Sequence, residues 1–345
     1  MGKRVLVTGA DSFWGGRVIS ALEEDPTFEV LLGLGDTRPS VKFERAEFVH
    51  ADSTYSILNR LVRATEVDTI VHTFLVVDST LVAPRALTEI NVIGTMNMLA
   101  AAGAPGSKVK HLIVKSSALV YGATERDPNT FKEQTPRMKS PHTRVERSLI
   151  EAEQLIREFA DDHPEITVTI LRFCNVLGTD LTTPLSRNLS QRLCPSLMGF
   201  NPLLQFIAEE DVVSALLHAI HNRLPGVYNV AGKGRIPWSE VMEICGTRPL
   251  PVPSFKPFLT IAPKIPFLHF DMPDELEDLL RYGRGIATRK FIGTGFHCRF
   301  TSAGAVEHFA TGLRLSRAMH PPRDDSEYDH SVEQFFRHSP AVRQN

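Results

Sequence analysis

The chain has 345 residues, 42% of them hydrophobic and 23% charged, and a formal net charge of −2. That length buries one large α/β domain or a domain with a smaller lobe, and the near-neutral balance offers no basic face to nucleic acid. No apolar run is long enough to span a bilayer, thirteen histidines show no metal-ligand spacing, and four scattered cysteines with a short apolar start after Met1-Gly-Lys-Arg4 read as a cytoplasmic protein with no signal peptide.

The first element is an apolar strand, Val5–Val7, which runs through Thr8-Gly9 into Ser12-Phe13-Trp14-Gly15-Gly16, where a helix opens. Gly9 lets the backbone turn sharply, and the free N–H groups and dipole of the helix favour a pyrophosphate, so this is a dinucleotide-binding start. Further runs suit buried parallel strands at Glu29–Leu34, Glu47–His50, Thr69–His72, His111–Lys115 and Thr167–Arg172. Helical patterns lie between them at Gly15–Glu24, Ser53–Ala64, Arg85–Ala102 and Arg144–Ala160; in the last, Val145, Leu149, Ala152, Ile156 and Phe159 form one apolar stripe. The alternation predicts an α/β fold, a Rossmann-type doubly wound parallel sheet over residues 1–175.

Beyond residue 176 the elements shorten, with helices expected at Glu209–His221, Ser239–Cys245, Pro273–Tyr282 and Ser302–Leu313. Residues 176–317 are therefore expected to form a smaller C-terminal substrate lobe, interleaved with the sheet. Pro249–Phe270, with six prolines, reads as a stiffened loop packed on it, and residues 318–345 as a loosely ordered tail.

These motifs, in this order, resemble the extended short-chain dehydrogenases/reductases over residues 3–313, in particular the NAD-dependent epimerase/dehydratase group that includes UDP-galactose 4-epimerase. Gly9-x-x-Ser12-x-x-Gly15 is similar to the family's Gly-x-x-Gly-x-x-Gly turn, with serine at the middle glycine. The resemblance makes Thr8, Gly9, Ser12, Phe13, Trp14 and Gly15 the expected cofactor contacts. Asp36 stands where the family sets an acid on the adenosine ribose, which favours NAD, while Arg38 leaves NADP open; a solvated turn residue is the other reading of Asp36. Asp52 resembles the adenine-side aspartate, or is an N-terminal charge on the next helix. His72 stands in the family's His-x-Ala turn, with a packed strand-end residue as the alternative. Asn91, in Asn91-Val-Ile-Gly94-Thr95-Met-Asn97, corresponds to the asparagine that holds the central sheet near the active site.

Ser117, in Ser116-Ser117-Ala-Leu-Val-Tyr121-Gly122, falls where the family's serine hydrogen-bonds a substrate hydroxyl or carbonyl. Ala118-Leu119 replaces the Asp-Glu pair of nucleotide-sugar 4,6-dehydratases, which argues against dehydration. Asn175, in Leu171-Arg172-Phe173-Cys174-Asn175-Val176, resembles the asparagine that contacts a nucleotide-sugar diphosphate. Gln205–Val212, Gly226–Gly232 and Gly295-Phe296 are similar to later family segments.

The family's Tyr-x-x-x-Lys pair is missing: none of the five tyrosines falls on the helix after the serine strand. One register places His142 and Glu146 on the pair; the other, which is preferred, places Thr143 and Arg147 there and keeps a cation for the cofactor ribose. Threonine is no general base at neutral pH, whereas His142 has a suitable unperturbed pKa near 6.5; a polar residue before a helix is the plainer reading of His142. Two functions follow from the resemblance. The first is an NAD-dependent epimerase or oxidoreductase on a nucleotide-sugar-like substrate, working by transient hydride transfer through Ser117, Arg147 and His142 or a water. The second is a catalytically silent module that senses a dinucleotide or nucleotide sugar and acts through a protein partner. Relatives of this kind form homodimers by packing helices such as 85–102 and 144–160 into a four-helix bundle.

Overall fold

A computed structural model describes residues 2–51, 54–254 and 272–319. Asp52, Ser53, most of the proline-rich stretch and nearly all of the expected tail lie outside the described residues.

The expected strands all form, and for the expected reason. Strands β1 (Lys3–Thr8), β2 (Phe28–Gly35), β3 (Glu47–His50), β4 (Thr69–His72), β5 (His111–Ser117) and β6 (Thr167–Phe173) pair in parallel. With β11 (Gly226–Val230) on the outer edge of β6, the sheet order is β11-β6-β5-β4-β1-β2-β3. This is a Rossmann-type order whose switch point lies between β1 and β4, where ligands bind at the carboxyl ends of the strands.

Alternation along each strand feeds two cores. Leu6, Ile70, Leu112 and Ile170 face helices α2 (Tyr55–Thr65), α3 (residues 86–102) and α4 (Arg144–Asp162). Val5, Val7, Ile113 and Leu171 face α1 (Phe13–Glu23) and α6 (Glu209–His221), so a helix and a strand from beyond residue 176 complete the central layers. α3 is expected as one regular helix, but its middle, Glu89–Gly94, is π-helical between Ala86–Thr88 and Thr95–Ala102. Such a widened turn commonly accompanies a functional position, and here it carries Asn91.

The remaining elements pack around Phe206, Trp238, Leu276 and Phe309. They comprise β7 (Asn175–Leu177) beside β10 (Phe206–Ala208), and β9 (Leu203–Leu204) beside β12 (Ile236–Pro237). The helices are α5 (Pro184–Ser190), α7 (Trp238–Cys245), α8 (Asp274–Tyr282), α9 (Arg289–Ile292) and α10 (Ser302–Met319), the last running past its expected end at Leu313. The proline-rich stretch does not begin as a loop: Arg248–Val252 forms β13 and pairs in parallel with β8 (Leu193–Leu197). Pro249 and Pro251 are tolerated because β13 has β8 on one side only, which leaves its other side without a ladder to break.

Candidate active site at the carboxyl ends of the strands

Ser12 builds the glycine turn. Its Oγ donates to Gly9 O at 2.6 Å and accepts the Gly15 N–H at 3.2 Å, capping α1. Gly9 has φ +74°, and a Cβ there would stand 2.6 Å from Phe74 Cβ. A Cβ on Gly15 would stand 2.0 Å from Gly9 O, so only glycine lets helix and strand approach this closely. No acidic side chain occupies the first turn of α1, which leaves its N-terminus fit for an anion.

From this turn a cavity of about 510 Å³ extends past Thr8, Gly9, Asp11 and Asp36 to Phe74 and Asn97. Asp36 follows β2 directly and lies on the wall. Its carboxyl is raised above the usual range, first by a hydrogen bond with Asp11 and then by burial. Burial works against the Asp11 carboxylate too, but its hydrogen bonds with Thr37 and Asp36 outweigh that and hold it below the usual range. Asp11 is a wall residue that sequence reading missed, because nothing local tells which side chain turns towards β2.

Two residues that the resemblance sets near the cofactor are held by contacts within the protein. His72 is fully buried, with Nδ1 3.0 Å from Thr8 Oγ1 and Nε2 3.0 Å from Thr95 Oγ1. Both ring nitrogens are engaged, and burial drives the pKa down to about 3, so the neutral ring ties β1 to β4 and α3. Asn91 accepts the Val76 N–H at 2.7 Å and donates to Val76 O at 2.9 Å and Ser148 Oγ at 3.0 Å. It clamps the loop after β4 onto α4. Phe13 lies edge-on to Trp14 with Arg17 5.3 Å from its ring centroid, while Trp14 reaches the second cavity.

That second cavity, of about 180 Å³, is walled by Trp14, Lys115, Ser117, Asn175, Glu275 and Arg284 among others. Ser117 ends β5 and caps the short 3₁₀ turn Ala118–Tyr121, its Oγ accepting the Leu119 N–H at 3.2 Å. Asn175 Nδ2 donates to Gln205 O at 2.9 Å, which orients its amide on the wall. Arg284 is buried; its Nε donates to Gly122 O at 2.6 Å, while Nη2 has no partner among the described residues. Burial pulls its pKa down to about 10, so it still carries its charge at neutral pH.

The helix expected to carry the acid–base pair presents none of its candidates to this cavity. Thr143 Oγ1 accepts the Glu146 N–H at 3.1 Å, which makes it the cap of α4. Glu146 is buried against Arg137 at 2.7 Å, and Arg147 is exposed. His142 pairs through Nε2 with Asp278 at 3.2 Å and lies 3.7 Å from Glu146 through Nδ1. Its side chain is 42% exposed, outside the cavity wall.

Lys115 is the other residue that sequence reading passed over. It is 3% exposed on β5, with Nζ 4.8 Å from the Trp14 ring centroid and 5.9 Å from that of Phe173. Among the described residues it makes no hydrogen bond or ion pair, and burial pulls its pKa down to about 8.

A glycine turn at the switch point of a parallel sheet, beside a largely apolar cavity with a few polar groups under the end of β5, defines a nucleotide-dependent α/β protein. The NAD-dependent epimerase/dehydratase family model matches residues 5–231, and the chain belongs to that family, whose cofactor is NAD. It is 30% identical over 331 residues to the uncharacterized protein Rv0501 of Mycobacterium tuberculosis, covering 93% of this chain and 87% of that one. It is 26% identical over 185 residues to a UDP-glucose 4-epimerase of Yersinia enterocolitica, covering 50% of this chain and 54% of the enzyme. Among solved structures it is similar to MoeE5 in complex with UDP-glucose and NAD, with TM-score 0.69, 20% identity, and 91% and 99% of the two chains covered. It is likewise similar to the dTDP-glucose 4,6-dehydratase of Bacillus anthracis in complex with NAD, with TM-score 0.68, 19% identity, and 92% and 98% covered. Among the described residues no helix is long and apolar enough to cross a membrane, and no cluster of metal ligands occurs.

Proposed function

We propose that the chain is an NAD-dependent epimerase or oxidoreductase acting on a nucleotide-sugar-like substrate. The observation that carries this reading is the convergence of Ser117, Asn175 and the buried cation Arg284 on the wall of one cavity that Trp14 joins to the glycine turn. A guanidinium on the wall of a largely apolar cavity offers its charge to an anion that enters. A diphosphate is such an anion, and Asn175 adds a neutral donor or acceptor beside it.

The residues of the glycine turn fit NAD. The Ser12-capped helix start receives the pyrophosphate, and Asp11 and Asp36 face the ribose hydroxyls from the wall of the larger cavity. Bound there, NAD supplies the oxidant and reductant of a reversible hydride transfer. Ser117 then orients the reacting hydroxyl through its Oγ, and Trp14 and Phe173 shield the site from water.

The test is to denature the purified protein, quantify released NAD(H) and NADP(H), and assay the intact protein with UDP- and dTDP-sugars. Tightly held NAD with sugar interconversion is expected. A protein that neither carries nor binds a dinucleotide would sink this reading. One that binds NAD and a nucleotide sugar without turnover would favour the silent, partner-acting module.

A further inference from the structure

We propose that Lys115 is the proton-transferring residue of this site, its neutral amine taking the proton of a substrate hydroxyl held by Ser117 and its ammonium returning it. The proposal rests on the reading of the cavity as the seat of an NAD-dependent alcohol–carbonyl interconversion. That reaction needs a group that exchanges a proton, and the helix where the family keeps its phenol offers none to the cavity.

The geometry favours Lys115. It stands two residues before Ser117 on β5, and the two-residue repeat of a strand places them on one face, while Ser116 between them turns away to donate to Glu153 at 2.5 Å. Lys115 and Ser117 line the same cavity. The stem of Lys115 is buried in the apolar layer with Trp14 and Phe173, so the amine is held at the end of a fixed side chain.

Among the described residues no carboxylate pairs with it. The acids on surrounding elements are otherwise engaged: Asp78 pairs with Arg187 at 3.3 Å, Glu275 accepts the Ser79 N–H at 3.3 Å, and Glu153 is bound to Arg172. On α6, Glu209 lies 3.8 Å from Arg17 through one oxygen, while its other oxygen has no hydrogen-bond partner among the described residues and burial raises its carboxyl to about 7. Burial therefore favours the neutral amine with no ion pair to oppose it among the described residues. A lysine in such a place is poised near its working pH, the condition for effective proton transfer.

The step balances. In oxidation the O–H bond breaks and its proton forms an N–H bond with the Lys115 lone pair. The carbinol hydrogen leaves with its bonding electrons to the cofactor, so the alcohol becomes a carbonyl as the cofactor is reduced. The reverse step takes the proton back from the ammonium.

The experiment combines a titration with two variants. In NAD-loaded protein labelled with [13Cε]lysine, Lys115→Arg assigns the Lys115 signal by its loss. That signal is expected to titrate near pH 8 and to shift on adding UDP. Lys115→Met removes the amine, whereas Lys115→Arg keeps a cation over Trp14 but cannot release its proton. Both are expected to retain NAD affinity and to lower nucleotide-sugar turnover by about 10²–10⁴-fold. Wild-type turnover in the oxidative direction should rise with pH through about 8, and the residual rate of Lys115→Arg should not. A Lys115 signal titrating with the other lysines overturns the proposal, as does full activity in Lys115→Arg, whatever the titration. A wild-type protein inert towards every nucleotide sugar overturns the enzymatic reading and this proposal together, an outcome distinct from an active Lys115→Arg.

Discussion

Asp11 and Asp36 share a hydrogen bond on the wall of the larger cavity, and the pairing leaves Asp11 the more acidic of the two. Thr37 holds Asp11 through its N–H at 3.0 Å and its Oγ1 at 2.7 Å.

The proposed seat of the adenosine ribose against these two acids predicts how a preference for NAD over NADP is lost. Asp36→Asn should change it little, because the Asp11 carboxylate remains to repel a 2′-phosphate. Asp11→Asn with Asp36→Asn should lower it by about tenfold or more, the equivalent of ~1.4 kcal/mol. Fluorescence titration with NADH and NADPH measures both constants; an unchanged ratio in the double variant would show that the acids do not meet the ribose.

Burial of His72 makes stability depend on acid. Its pKa falls from 6.5 to about 3 on folding, so the unfolded chain binds a proton that the folded chain refuses. The stabilisation is complete above pH 6.5 and fades as pH falls towards 3, at about 1.4 kcal/mol per pH unit. Urea denaturation at several pH values should show this slope in the wild type and a shallower one in His72→Gln. Parallel slopes would mean that water reaches the ring.

Gly15 and Gly16 are adjacent in sequence but not in consequence. A Cβ on Gly15 would stand 2.0 Å from Gly9 O, whereas the nearest atoms to one on Gly16 are at 3.6 Å. Gly15→Ala should therefore cost about 1–3 kcal/mol or more and weaken NAD binding. Gly16→Ala should be neutral or stabilising by up to about 1 kcal/mol. Melting temperatures of the two variants decide it, and equal behaviour would contradict the tight crossing. Gly9→Val would disrupt the turn itself, since φ +74° and Phe74 both oppose a side chain there.

Arg284 should govern affinity for the nucleotide rather than for NAD. Replacing it with Met removes a cation from the cavity wall, and a hydrogen bond to a charged group is worth about 1.5–3 kcal/mol. The dissociation constant of UDP from NAD-loaded protein should rise by roughly ten- to a hundredfold. Calorimetry that finds UDP binding unaffected would place the diphosphate elsewhere.

The sequence reveals those parts of the molecule that depend on local pattern. Parallel strands buried on both faces must be continuously apolar, and all six such runs form strands of the sheet. Ser12 and Gly9 announce the turn because caps and positive φ restrict residue choice. Residues defined by distant partners stay hidden. The engagement of His72 depends on Thr8 and Thr95, 64 and 23 residues away. Lys115 reads as the polar end of a strand until Trp14 and Phe173 are seen to enclose it. Arg284 sits in a short glycine-flanked link whose burial no periodicity signals. Thr143 and His142 are separable only once Thr143 is seen to start α4.

The pairing of β11 with β6 has a consequence for how the protein is made. Residues 226–230 supply the outermost strand of a sheet whose other six strands are complete by residue 173. Until that late segment leaves the ribosome, β6 presents Val168, Ile170 and Phe173 beside an open ladder of N–H and C=O groups, the kind of edge that recruits strands from other chains. Fragments ending near residue 175 should consequently self-associate.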